Sequence, residues 1–144
     1  MRTNGWHIFG GGRELMTKRL AASMADTIAG DHDSQIVMFF ATPIFSDRED
    51  WAYLQGSRAI KSLRLGPFGR RQLERQFKDA LSVRGLSALD ADIQVAQFRV
   101  YYWSMIICLT NGTQRQLARK KVKKSRSIVD KLTNQIGGHP TLPR

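Results

Sequence analysis

Apolar residues recur at three- and four-residue intervals along most of this chain, and glycine, proline or serine marks the gaps between the stripes. That period is the signature of helices with one buried face. Residues 13–28 carry such a stripe in Leu15, Leu20, Met24 and Ile28, which Gly30 stops. A second stripe over residues 51–65 uses Trp51, Leu54, Ile60 and Leu63. The pair Gly66-Pro67 then breaks it, since proline cannot continue a helix and glycine adopts turn geometry freely. Residues 69–83 predict a strongly amphipathic helix with Leu73, Phe77 and Leu81 inward, and Arg70, Arg71, Arg75 and Lys78 directed elsewhere.

After Gly85 and Ser87 a long helix is predicted over residues 88–109, with Ile93, Phe98, Tyr102 and Ile106 on one stripe. Its second half, residues 98–109, is apolar nearly all round, so it is either a fully buried helix or a strand. A turn at Thr110-Asn111-Gly112 leads to Thr113 as an N-cap. Beyond it, apolar residues keep helical spacing on both sides of a short polar break, which predicts two short helices ending at Gly137-Gly138. Leu117, Ile128 and Leu132 join Leu73 and Phe77 as expected core residues.

The N-terminal part has a different texture. Trp6 to Phe9 predicts a short strand, Gly10-Gly11-Gly12 a flexible turn, and Ile36 to Phe40 a second strand ended by Pro43. Strand, glycines and helix resemble a phosphate loop only in outline, because no Gly-Lys-Ser/Thr follows and the GxGxxG pattern is incomplete. The expected fold class is therefore mainly α. It has a small N-terminal α/β element at 1–46, two helix-turn-helix units joined by a long helix at 47–140, and a tail at 141–144.

Charge sharpens this division. The chain of 144 residues has a formal net charge of +11. Residues 1–46 hold four Lys/Arg and four Asp/Glu, whereas residues 47–144 hold nineteen and eight and carry the whole excess. A positive field confined to one region attracts a polyanion, most often nucleic acid, with a solvated basic face or an anionic lipid surface as alternatives. Cys108 is the single cysteine, so neither an intrachain disulfide nor a cysteine-based zinc site is expected. His7, His32 and His139 lack ligand spacing, so no metal and no cofactor is expected. The first twenty residues lack signal-peptide order, and the longest apolar run, residues 100–109, is about half a membrane span. A cytoplasmic protein without membrane contact is the expectation. Asp90 with Asp92, and Asp47, Glu49 and Asp50, look like helix-start charges rather than paired acid–base groups, so no enzyme is expected.

The run Arg70-Arg71-Gln72-Leu73-Glu74-Arg75-Gln76-Phe77 resembles the first recognition helix of the AraC/XylS-type transcriptional regulators. Arg99, the turn at Thr110, Ala118, and Ile136-Gly137-Gly138-His139-Pro140 keep that family's spacing over about residues 47–140. The second unit departs from it, having Val122-Lys123 where the family turn carries Gly-Phe, and about six extra residues precede Arg99. The resemblance implies a double helix-turn-helix regulator of transcription that binds double-stranded DNA. RNA polymerase and a second copy of the chain are its further implied partners. The 46 N-terminal residues are too few for an inducer-binding domain and would serve dimerisation or partner contact.

On that reading Arg71 and Arg75, one turn apart, offer guanidinium groups to guanine edges, Gln72 to adenine, and Arg70 sits beside them at the start of the same helix. Arg126 and Ser127 hold the matching face of the second unit. Lys120, Lys121, Lys123, Lys124 and Lys131 fall to phosphates. Surface pairing of Arg71 or Arg75 with Glu74 or Asp79 is the plainer alternative for those two. The rival function is an RNA-binding or ribonucleoprotein component, with Tyr101, Tyr102 and Trp103 stacking on bases.

Overall fold

The computed structural model describes residues 2–30 and 48–137. They form five helices: α1 (Arg2–Ala29), α2 (Arg48–Ser62), α3 (Pro67–Val83), α4 (Ala88–Leu109) and α5 (Gly112–Gly137). No strand occurs among the described residues, so the fold is mainly α.

Local chemistry sets the ends of these helices. Pro67 opens α3 at a position where its missing N–H costs nothing. At the far end Gly85 takes a left-handed φ of 99°, Leu86 N donates to Leu81 O, and Gly85 N donates to Ser82 O. That pair of bonds is the Schellman closure, which satisfies carbonyls the helix leaves open. Ser87 Oγ then accepts from Asp90 N at 3.1 Å and caps α4. The same closure ends α2, with Leu65 N donating to Ile60 O and Arg64 N to Lys61 O. There Arg64 holds the left-handed position at φ 55°, where glycine would be easier.

The core lies between α1, α2, α3 and the first part of α4. It is built from Met24 of α1, Tyr53 and Ile60 of α2, Leu73, Phe77 and Leu81 of α3, and Val95 and Phe98 of α4. Phe77 meets Phe98 edge-on at 6.3 Å. Gly56 permits the closest approach, because a Cβ there would lie 2.6 Å from Met24 Sδ and 2.9 Å from Phe98 Cε1. Both α2 and α3 pack on α1 and α4 rather than broadly on each other. The core is thus shared across residue 46.

The first part of α4 is covered on two sides. Ala91, Val95 and Phe98 enter the core of the bundle, while Ala96 and Val100 are buried outside it. The latter pair lies a third of a turn or more round the helix, on the side where α5 packs along α4. Residues 98–109 are helical rather than strand, but they are not fully buried: only Phe98 and Val100 among them are buried, and Cys108 and Leu109 are exposed.

Three expectations need correction. Trp6–Phe9 and Gly10–Gly12 are not strand and turn; they lie inside α1. Its C-terminal half is fixed by the burial of Thr17, Ala21, Met24 and Ala25. Extending an existing helix through poor helix formers is cheaper than nucleating one. The second strand expected at Ile36–Phe40 lies outside the described residues. The polar break in the C-terminal region is also absent, since α5 runs unbroken for 26 residues. Ala118, Val122 and Ser125 are buried and Val129 and Leu132 half-buried, a four-three repeat that keeps one seam against α4 throughout. Residues 113–136 contain no glycine or proline to interrupt it. Leu117 is not core but 52% exposed, because among the described residues α5 packs chiefly on α4 and Leu117 stands off that seam.

Candidate nucleic-acid interface

The unbroken α5 gathers most of the expected contact residues on one element. It carries eight Lys/Arg and one acid, Asp130. Lys120, Lys121, Lys123, Lys124, Arg126, Ser127 and Lys131 are all exposed, as is Arg119. At about 100° per residue, Lys120, Lys123, Lys124, Ser127 and Lys131 point away from the buried seam of Ala118, Val122 and Ser125. At 1.5 Å per residue this crest belongs to a helix about 39 Å long. Beside it an open groove of about 590 Å³ is lined by Arg119, Lys123, Arg126, Asp130, Ser104 and Ile107 among others.

One cation of α5 is already committed. Arg115 Nε donates to the carbonyls of Ile107 at 3.2 Å and Thr110 at 2.9 Å, which satisfies the open C-terminal end of α4. Thr110 Oγ1 adds a bond to Ile106 O at 2.7 Å. The α4–α5 corner is therefore held by side chains on main-chain carbonyls, with Gly112 at φ 57° making the turn.

The residues expected to read bases from α3 divide. Arg71 and Arg75 are exposed, share one stripe, and form no ion pair among the described residues. Gln72 is half-buried and adjoins Arg75 one turn on, at the edge of that stripe. Arg70 is not free for a base edge. Its Nη1 donates to Glu74 Oε2 at 2.6 Å, and its guanidinium lies over the rings of Tyr102 and Trp103 at 5.7 and 5.6 Å. Glu74 is buried, and its other oxygen accepts two bonds from Arg99, at 3.0 and 2.9 Å. Glu74 thus pairs with Arg70 and Arg99 rather than with Arg71 or Arg75.

Two further pairs tie elements together: Lys78 with Asp92 at 2.7 Å, and Arg84 with Asp26 at 2.6 Å. Tyr101 is half-buried, donates to Asp50 and stacks near Tyr53, so it serves the bundle. Burial pushes the Tyr102 phenol above its usual range; Arg70 pulls it down and Glu74 adds to the rise. Trp103 is the aromatic that meets the basic helix, with Lys121 Nζ over its ring at 5.5 Å. Sequence reasoning noted Trp103 only as a stacking candidate and assigned no role to Arg99 beyond spacing. The Arg70-x-x-x-Glu74 interval was the available signal for the first half of this cluster.

Among the described residues no group of His, Cys, Asp and Glu has the arrangement of a metal site, and no helix is long and apolar enough to cross a membrane. Compared with family models, curated proteins and solved structures, the chain matches none.

Proposed function

We propose that the protein binds double-stranded DNA by laying the outer face of α5 along a groove, and that it acts as a regulator of transcription through that binding. The observation that carries this is the lysine crest of Lys120, Lys123, Lys124 and Lys131 on an unbroken helix that bears eight cations and one acid in all and is packed on α4 by its opposite face. A helix of about 10–12 Å diameter fits the major groove of B-form DNA, about 12 Å wide, whereas the major groove of A-form RNA is too narrow for it. Lysines predominate over arginine on the crest. They act as point charges toward phosphates, so affinity exceeds sequence choice. Regulation then rests on occupancy of DNA more than on readout by two helix-turn-helix units. Arg71 and Arg75, exposed on α3, are the residues through which a sequence preference would enter.

Binding of labelled random duplex DNA, single-stranded DNA and duplex RNA across a salt series tests this. Each engaged phosphate contributes about 0.9 to the slope of log affinity against log salt. The triple variant Lys120→Gln/Lys123→Gln/Lys124→Gln is expected to flatten the duplex-DNA slope by about 2–3 and to keep its fold by circular dichroism. An unchanged slope, or a preference for duplex RNA over duplex DNA, refutes the assignment.

A further inference from the structure

Trp103 stands where α3, α4 and α5 meet, and two cations from different helices lie over it. Arg70 Cζ is 5.6 Å and Lys121 Nζ 5.5 Å from its ring centre. Cation–π attraction positions both groups without cancelling charge, and only Arg70 has a carboxylate partner among the described residues. The nearest carboxylate is already filled. Glu74 gives one oxygen to Arg70 and the other to Arg99, so two cations share one acid, and Lys121 adds a third positive charge on the Trp103 ring. Arg70 uses a single N–H in that pair, and its remaining donors make no hydrogen bond among the described residues. Such an arrangement lacks an acceptor-rich anion.

We propose that Arg70, Lys121 and Trp103 form a seat for one phosphate group, gripping at the junction of the three helices a nucleic acid carried on α5. This rests on the reading of α5 as the DNA-binding face. The Nε and Nη2 edge of Arg70, the side not given to Glu74, matches two phosphate oxygens, and Lys121 supplies a mobile point charge to a third. The Tyr102–Trp103 pair, edge-on at 4.7 Å, forms an apolar floor that fixes both cations before the anion arrives. The footprint on DNA therefore extends from α5 toward Arg71 on α3. A phosphodiester in a strand and a free phosphate ion offer the same oxyanion to this seat.

The test uses the full chain labelled with 5-fluorotryptophan, the Trp103 resonance being identified by its loss in Trp103→Phe. Fluorine NMR is followed during titration with duplex DNA and, separately, with inorganic phosphate. The expected result is a saturable shift of the Trp103 resonance with duplex DNA. In Lys121→Gln that shift is lost and affinity for duplex DNA drops about fivefold at low salt. If duplex DNA binds while the Trp103 resonance stays still, the seat is wrong and the α5 reading survives. If phosphate alone moves the resonance and no duplex binds, the seat takes a free anion and the α5 reading fails. If neither ligand acts, both fail.

Discussion

At the scale of single residues, Glu74 is the group on which most depends. It is a buried carboxylate whose two oxygens hold Arg70 from its own helix and Arg99 from α4. Glu74→Gln leaves two guanidinium groups facing each other without their counter-charge. Removing one partner of a buried pair costs about 3–5 kcal/mol, and the partial exposure of Arg99 places this case near the lower end. Urea unfolding is expected to show the midpoint falling by about 3 kcal/mol worth of stability with an unchanged slope. A change below about 0.5 kcal/mol, the range of ordinary surface substitutions, would show that the carboxylate is not holding the junction. The sequence made the Arg70–Glu74 interval visible but not its meaning. Which of Arg70, Arg71 and Arg75 turns inward is decided by the rotation of α3 against α4, and that rotation is set by Leu73, Phe77 and Phe98 together. A reading confined to one helix therefore gave Arg70 to DNA along with Arg71 and Arg75, and considered Glu74 only as an alternative partner for the latter two.

At the scale of elements, apolar periodicity located α2, α3 and α4 well, because each buries a broad stripe and is bounded by strong punctuation: Gly66-Pro67, Gly85 and Ser87. It failed where a seam position is polar. Ser125 is buried against α4, and in sequence it sits among lysines and arginines, so a continuing helix was read as a break. The glycine run at residues 10–12 misled in the opposite sense, since low propensity was overridden by the anchored half of α1. Continuity of α5 has a direct test in Lys123→Pro. A helix-turn-helix unit with its turn at Val122-Lys123 would accept proline there. Within one helix it removes a backbone bond and clashes with the preceding turn, costing about 3 kcal/mol. The variant is expected to lose helical ellipticity and most duplex-DNA affinity, while the Phe77–Phe98 core keeps its near-ultraviolet signal. Retention of both ellipticity and binding would restore the turn.

At the scale of the whole molecule, charge and packing are partitioned together. The four-helix core shares Met24, Tyr53, Phe77 and Phe98, whereas α5 is joined to the rest chiefly along α4. Eight of the 23 Lys/Arg lie on this one helix. Elements with few buried apolar contacts open at lower free energy than the core. Native-state hydrogen exchange is accordingly expected to show α5 amides exchanging through a partial opening, with the α3 and early α4 amides protected to the global limit. Saturating duplex DNA should slow α5 exchange. Uniform protection of all five helices in the free protein would contradict the partition.

The corner held by Arg115 decides what happens when α5 is pulled. Its bonds to Ile107 and Thr110 lock the two helices at their junction, so little torque is dissipated in the turn. Helix α4 is thus tied to α5 at one end and, through Arg99 and Phe98 farther back, to the centre of the bundle, so a displacement of α5 would be passed along α4 to Glu74 and the core.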